Sequence, residues 1–350
     1  MVFHYHLKKK YNSAMDGFRT LLAVWIGRCA AFCIKAFNLG AGATWPGEVA
    51  LMVHMYILTQ LFEKLDHIII VAGTNGKTTT SSMIRNILQE DGFQVVHNQS
   101  GANLENGIVS ALVLDNQIKG KTKMVGVFEV DENTVPIILE RLSQINIPTT
   151  IVLLNLFRDQ LDRYGEVDVI ARRWKKSLDA ASSHAKLILN ADDPQIAYLG
   201  TEFKGTVFYF GKTDKKYVSK NEHATDSTTC LVCGNSLSYE GIYYSHIGAW
   251  HCPHCGLTRP SIDLTEWKSP LPGVYNQYNT LAAVLTAQTC GVTDEVIKKS
   301  ISGFSPAFGR QEEIEIQGKK VKLFLSKNPV GFNESLKTIL DLGAKTIVLI

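Results

Sequence analysis

Short β-branched apolar runs alternate with helical patterns along most of the chain. His67–Ala72 is the first run, and Gln94–His97, Met124–Val130, Thr149–Leu154, Lys186–Leu189 and Thr206–Phe210 follow. Helical periodicity separates most of them, as at Thr78–Gln89, Thr134–Gln144 and Val167–Ser182. This alternation predicts an α/β fold with a mostly parallel, doubly wound sheet, whose ligands bind at the carboxyl ends of the strands. From about Lys212 the texture turns polar, and 212–265 reads as an insertion. Helical patterning resumes at Asn276–Cys290, and a β-rich stretch, Glu313–Leu325, opens a smaller unit. The apolar run Thr346–Ile350 reads as a strand meeting the last residue, so a fragment of a longer protein is expected.

At the other end, residues 1–17 carry no clear pattern and read as an extension or an early start before Met15. Residues 18–39 read as a helix. Lys8, Lys9 and Lys10 precede an apolar stretch, Leu21–Ala43, that Arg28 and Lys35 interrupt. The interruptions favour an amphipathic helix, packed on the protein or resting on a membrane surface, over a signal peptide or a spanning segment.

Composition narrows the class. The 350 residues include 36 basic and 33 acidic side chains, a net charge of +3, which is no polyelectrolyte signature and sets nucleic acid aside as a partner. Seven cysteines in a chain this long do not make a secreted disulfide framework, so a reducing, cytoplasmic setting is expected. Four of them form Cys230-x-x-Cys233 and Cys252-x-x-Cys255, eighteen residues apart. That is zinc-ribbon spacing: four thiolates fill a tetrahedral shell and leave no open position, which predicts a structural Zn²⁺. A dithiol redox pair is the rival. His246, His251 and His254 read as bystanders, and Cys29, Cys33 and Cys290 as small buried apolar residues.

The strongest motif follows the first strand directly: Gly73-Thr74-Asn75-Gly76-Lys77-Thr78-Thr79-Thr80. Glycines let backbone N–H groups turn toward phosphate oxygens, and the following helix start adds partial positive charge. Lys77 can reach the outer phosphates and the Thr78 hydroxyl can ligate Mg²⁺. The general phosphate-loop pattern would want Gly where Val71 stands.

Gly-Thr-Asn-Gly-Lys-Thr-Thr after a strand resembles the ATP loop of the Mur ligase family. Further segments resemble that family in the same order. They are Phe128–Glu132, Asn155–Gly165, Asn190-Ala191-Asp192-Asp193-Pro194, Gly273–Asn279 and Gly309-Arg310-Gln311-Glu312, and the resemblance runs from about Leu65 to the end. The wording of Asn155–Gly165, the four-cysteine insertion and Lys327–Asn333 resemble one subgroup. Its members amidate the α-carboxyl of D-glutamate in the lipid II stem peptide, with ammonia from a separate GatD-type class I glutaminase subunit. Only 72 residues precede Gly73, too few for the UDP-binding domain of ordinary Mur ligases.

The resemblance implies three parts: an N-terminal helical segment, 1–55; an ATP-binding central domain, 56–308, with the ribbon at 212–265; and the beginning of a C-terminal domain, 309–350. It implies ATP, Mg²⁺ and Zn²⁺ as cofactors. Gly73, Thr74, Asn75, Gly76, Lys77, Thr78 and Thr79 would hold nucleotide, and Thr78 and Glu129 the Mg²⁺, so Lys77, Thr78 and Glu129 are the catalytic candidates. Asp131 and Glu132 are either near neighbours of that site or solvated loop charges. Asn276 and Asn279 read the adenine or cap a helix, and Arg310 contacts phosphate or ribose. Gln160 stands where the ordinary ligases carry a metal-binding His, with Asp159 and Asp162 as site or capping residues beside it. The position before Asn328-Pro329 is not acidic, so the family's ribose contact does not carry over. The expected partners are the glutaminase and lipid II at the inner face of the membrane, with no transmembrane segment. The rival functions are an amino-acid-adding ligase and a non-catalytic nucleotide-binding scaffold.

Overall fold

A computed structural model describes residues 13–38, 42–98, 101–115, 122–158, 167–180, 184–213, 226–306, 310–344 and 346–348. The first element is helix α1 (Ser13–Ala36), followed by α2 (Trp45–Val53) and α3 (Ile57–Phe62). Helix α1 starts five residues before the first apolar-periodic position, because polar residues such as Asp16 suit a first helical turn. Gly27 and Gly47 permit close packing here. A Cβ on Gly47 would overlap the Asn106 carbonyl, and one on Gly27 would lie 2.8 Å from the Pro46 carbonyl oxygen.

The central sheet contains β1 (His67–Ala72), β2 (Gln94–His97), β3 (Met124–Val130), β4 (Thr149–Leu153), β5 (Lys186–Asn190) and β6 (Thr206–Phe210). Their order is β2-β3-β1-β4-β5-β6, and every pairing is parallel. All six expected strands form. Helices α4 (Lys77–Glu90), α5 (Glu105–Leu114), α6 (Val135–Leu142), α7 (Val167–Asp179) and α8 (Pro194–Leu199) connect or follow them, with α9 (Val274–Thr289) and α10 (Asp294–Ser302) later in the chain. Strands of such a sheet are buried on both faces, and the side chains alternate between two cores. Ile68, Ile70, Phe128 and Val130 pack under α2, α3, α5 and α6. Ile69, Val71, Val125 and Val127 pack with Met83, Ile84 and Ile87 of α4 and Leu281 and Val284 of α9. After β1 the chain passes β3 to reach β2, and after β3 it crosses back over β1 to β4, so the loop after β1 lies at the topological switch point.

Within the insertion, β7 (Ser238–Tyr244) and β8 (Ile247–His251) form an antiparallel hairpin. A second hairpin, β9 (Arg310–Ile316) and β10 (Lys319–Phe324), precedes α11 (Pro329–Asp341). Thr346–Val348 form no strand, since no described strand pairs with them. The burial expected of the three unpaired cysteines does not hold: Cys33 is exposed and Cys29 and Cys290 are half-buried. Cys33 falls on the open side of α1, and the packed side is taken by Thr20, Ala23 and Gly27.

Candidate functional site

Strand β1 ends at Ala72, and the loop that follows turns on two glycines with positive φ, Gly73 at 142° and Gly76 at 90°. Asn155, just past β4, fastens this loop. It takes the Thr74 N–H on its carbonyl at 3.0 Å and the Asn75 N–H on Oδ1 at 2.9 Å, and its Nδ2 donates to the Asn75 carbonyl at 3.0 Å. The Phe157 N–H donates to Thr74 Oγ1 at 3.0 Å. Helix α4 then begins at Lys77 without a side-chain cap, so its first N–H groups have no partner within the helix. A helix start preceded by a glycine turn is a site for an anion.

Lys77 Nζ donates to the Gly73 and Thr74 carbonyls at 2.5 and 3.2 Å and pairs with Glu132 at 3.3 Å. Both partners are nearly buried, which overturns the reading of Glu132 as a solvated loop charge. Burial raises the Glu132 carboxyl above its ordinary range, and the Lys77 ammonium offsets part of that rise. Trp174 of α7 donates its indole N–H to the Glu132 carbonyl at 2.8 Å. Asp131 is half-buried and accepts the Asn133 N–H at 3.1 Å within the turn.

Glu129, one residue from the end of β3, is buried and accepts the Thr78 hydroxyl at 2.8 Å. Asn98, fully buried at the end of β2, holds the Glu129 backbone by its N–H and carbonyl, each at 2.9 Å. A hydroxyl and a carboxylate side by side at the switch point are hard oxygen ligands suited to Mg²⁺. The structure thus gathers Gly73, Thr74, Asn75, Gly76, Lys77, Thr78, Thr79 and Glu129 at one place.

Beside the loop lies a cleft lined by Asn75, Gly76, Tyr275, Asn276, Asn279 and Glu334, among others. Neither asparagine caps α9, whose N-cap is Gly273. Instead the Asn276 amide donates to the Pro272 carbonyl at 2.7 Å, and Asn279 Nδ2 donates to Asn276 Oδ1 at 3.2 Å. A Cβ at Gly76 would overlap Asn279 Oδ1. Gly76→Ala is therefore expected to weaken nucleotide binding at least about tenfold, since left-handed backbone strain alone costs ~1–2 kcal/mol in a non-glycine residue. Calorimetric titration with ADP checks this, and unchanged affinity would remove the loop from the site.

Across the cleft, Asn328 caps α11 by accepting the Gly331 N–H at 2.8 Å. It also exchanges amide hydrogen bonds with Asn75, at 3.0 and 3.3 Å. Gln311 donates to the Pro272 carbonyl at 3.2 Å and to the Tyr275 hydroxyl. Arg310 opens β9, and its side chain lies outside the described residues, as do Asp159, Gln160 and Asp162. Asn98, Asn328 and the Glu132 partnership were missed as site features. Asn98 carried only the weak signal of a polar residue closing an apolar strand.

The four paired cysteines come together. Cys230 Sγ lies 3.6 Å from Cys255 Sγ, and Cys233 Sγ 3.5 Å from Cys252 Sγ. A zinc ion with Zn–S bonds of about 2.3 Å sets tetrahedral sulfurs about 3.8 Å apart, so the donor set fits. The two knuckles repeat each other. Gly234 and Gly256 follow the second cysteine of each pair with φ of 74° and 77° and donate to the carbonyls of Cys230 and Cys252. The ribbon is tied to the end of β5. Trp250 Nε1 donates to the Ala191 carbonyl at 3.0 Å, and the Gly248 N–H to the Asp192 carbonyl at 2.9 Å. Asp192 meets Arg259 and the Tyr278 hydroxyl, each at 2.5 Å, yet its burial raises its pKa to about 6. His246, outside the cysteine cluster, sits fully buried 3.3 Å from Asp193 without hydrogen-bond alignment. Asp193 in turn caps α8 and accepts the Leu156 N–H at 2.9 Å, next to the residues that fasten the phosphate loop.

A parallel sheet with a phosphate loop at its switch point, a hydroxyl–carboxylate pair beside it and a further α/β unit closing over the cleft is the arrangement of a nucleotide-dependent ligase. Residues 71–287 match the Mur ligase middle domain, and the chain belongs to the Mur ligase family, whose members are ATP-dependent ligases. Within that family it is similar to MurT. It is 32% identical over 326 residues to the lipid II isoglutaminyl synthase (glutamine-hydrolyzing) subunit MurT of Staphylococcus aureus (strain COL), covering 88% of this chain and 72% of that protein. It is 35% identical over 343 residues to the MurT subunit of Streptococcus pneumoniae (strain ATCC BAA-255 / R6), covering 92% and 74%. Among solved structures, the pseudomurein peptide ligase type C from Methanothermus fervidus matches with a TM-score of 0.63 at 25% identity, over 81% of this chain and 58% of that one.

Proposed function

We propose that this chain is the synthetase of a lipid II amidation, converting the α-carboxyl of D-glutamate in the stem peptide to D-isoglutamine at the expense of ATP. The observation that carries the reading is the similarity to MurT subunits across most of the chain, supported by the phosphate loop it includes. A carboxylate is a poor electrophile with no good leaving group. One of its oxygens attacks the γ-phosphorus, ADP departs, and an acyl phosphate forms. Ammonia then attacks the carbonyl carbon, the C–O bond to phosphate breaks, and a proton is lost from nitrogen. Phosphoryl transfer of this kind rests on positioning and charge neutralisation.

Each residue has a task in this scheme. Gly73–Gly76 and the start of α4 cradle phosphates, and Lys77 exchanges its Glu132 contact for the outer phosphate oxygens. Thr78 and Glu129 hold Mg²⁺, which supplies the counter-charge when bound. Asn276 and Asn279 face the base, with Arg310 toward phosphate or ribose. Cys230, Cys233, Cys252 and Cys255 hold a structural Zn²⁺. The scheme assigns residues 1–55, 56–308 and 309–350 to a helical segment, the ATP-binding domain with its ribbon at 212–265, and a C-terminal unit. A GatD-type glutaminase supplies the ammonia, since none of the seven cysteines sits in a G-x-C-x-G nucleophile elbow, and the complex works in the cytoplasm.

Mass analysis of lipid II after incubation with ATP and ammonium, with and without the glutaminase, tests the reading. A loss of about 1 Da per stem peptide is expected, the mass difference between a carboxyl and an amide. Addition of an amino acid, or no lipid II-dependent ATP turnover, would replace it by the ligase or scaffold alternative. Glu129→Ala is expected to lower turnover on the order of 10²-fold while leaving nucleotide affinity nearly intact, because the metal ligand matters most where charge shifts in the transition state. A variant that bound nucleotide poorly but turned over normally at saturation would make Glu129 a binding residue.

A further inference from the structure

Helix α1 presents an uncovered apolar stripe. Phe18, Leu21, Leu22, Trp25 and Phe32 recur at i, i+3, i+4, i+7 and i+14, which is one face of a helix, and all are exposed, Trp25 by 64% and Phe32 by 72%. Trp45 and Met52, seven apart on α2, add further exposed apolar surface. By length and composition alone, Asp16–Ala36 could cross a membrane. Its opposite face is already engaged, however. Thr20, Ala23 and Gly27 are buried, and the Arg28 guanidinium donates to the carbonyls of Val113 and Asp115 at 2.8 and 2.9 Å. A spanning helix would have to break these contacts.

The charge around the stripe is one-sided. By helical spacing Arg28 and Lys35 flank one edge and Arg19 the other, while Asp16 falls on the packed side. Residues 1–38 hold six Lys and Arg against that one Asp, a net +5, whereas the whole chain is +3, so the remainder is −2. A second copy docked by two-fold symmetry would set these basic flanks against each other. An apolar stripe with aromatic anchors and cationic edges matches instead the surface of an anionic bilayer.

We infer that α1, extended by α2, is an interfacial anchor that lays this protein on an anionic lipid surface without crossing it. The inference deepens the proposed function, whose substrate is itself a membrane lipid.

The test is flotation of the full chain with vesicles of equal parts phosphatidylglycerol and phosphatidylcholine, or of phosphatidylcholine alone, none containing lipid II. Binding is thereby read apart from turnover: failure here leaves amidation of a soluble short-chain substrate untouched, and the converse holds. Binding to the anionic vesicles is expected, weakened by salt, with tryptophan emission quenched by brominated lipid. Trp25→Glu/Phe32→Glu is expected to reduce it at least about tenfold, given what burial of two aromatic side chains contributes. Unchanged nucleotide affinity and melting temperature would show that the variant is folded, and the quenching in the unaltered chain stands without any variant. The inference is overturned if the unaltered chain stays unbound, or if the variant binds equally. It is also overturned if carbonate fails to extract the protein, which would mean a spanning helix, or if the stripe instead holds a soluble dimer that the substitutions dissolve.

Discussion

Lys77→Ala is expected to abolish amidation, with turnover lowered by about 10²–10³-fold or more, as when one preorganised charge-stabilising donor is removed. The variant should also be less stable. Its removal leaves Glu132 nearly buried with no cation at 3.3 Å, and breaking such a pair costs ~3–5 kcal/mol. The cost depends on pH. Burial already raises the Glu132 pKa, and loss of Lys77 raises it further. The folded state then binds more protons than the unfolded one, so stability declines as pH climbs above about 4.3, the ordinary glutamate value, until the folded-state pKa is passed. Thermal melts at pH 5 and pH 8 should diverge more for the variant than for the parent. Lys77→Ala/Glu132→Gln should recover the stability at pH 8 and remain inactive. Turnover in either variant near that of the parent would sink the assignment of Lys77 to phosphate.

Cys252→Ser is expected to remove the bound zinc, about one ion per chain in the parent by metal analysis, and to lower the melting temperature by about 10 °C, at ~2–4 °C per kcal/mol for a domain of this size. The hairpin is short and has few apolar contacts of its own beyond Tyr243, Tyr244, Ile247 and Trp250, so the metal supplies much of its order. Damage should travel inward. The ribbon holds Asp192 through the Gly248 N–H, and the next residue, Asp193, accepts the Leu156 N–H beside Asn155. Nucleotide affinity should therefore fall as well, although no cysteine lines the cleft. A zinc-free parent protein of ordinary stability would end the four-cysteine reading.

The six strands were legible because each is a β-branched run bounded by polar turns, and parallel strands buried on both faces leave no ambiguity of side. The glycine turn before α4 and the cysteine pairs were legible for a related reason: their chemistry fixes their spacing. What escaped was polar pairing across long sequence distances. Glu132 against Lys77, Asn98 against Glu129 and Asn328 against Asn75 have no periodicity, and each side chain is of a type usually found in water. The amphipathic character of α1 was legible from Arg28 and Lys35, which interrupt the apolar stretch in sequence and line one edge of the stripe on the helix; which side packs on the protein was not.

The amide pair between Asn75 and Asn328 ties the phosphate loop to the cap of α11 across 253 residues of sequence. One partner belongs to the turn that would receive ATP, the other to the element that roofs the cleft. If ATP binds the loop more tightly when α11 roofs it, opening the roof and emptying the loop form one linked equilibrium, and linkage is reciprocal. Whatever favours the roofed arrangement, a bound acceptor or a neighbouring subunit, tightens nucleotide by the same factor. Whatever prises α11 away raises the apparent dissociation constant in proportion to the roofed fraction lost. A subunit seated far from the phosphates could then throttle ADP release without touching the nucleotide.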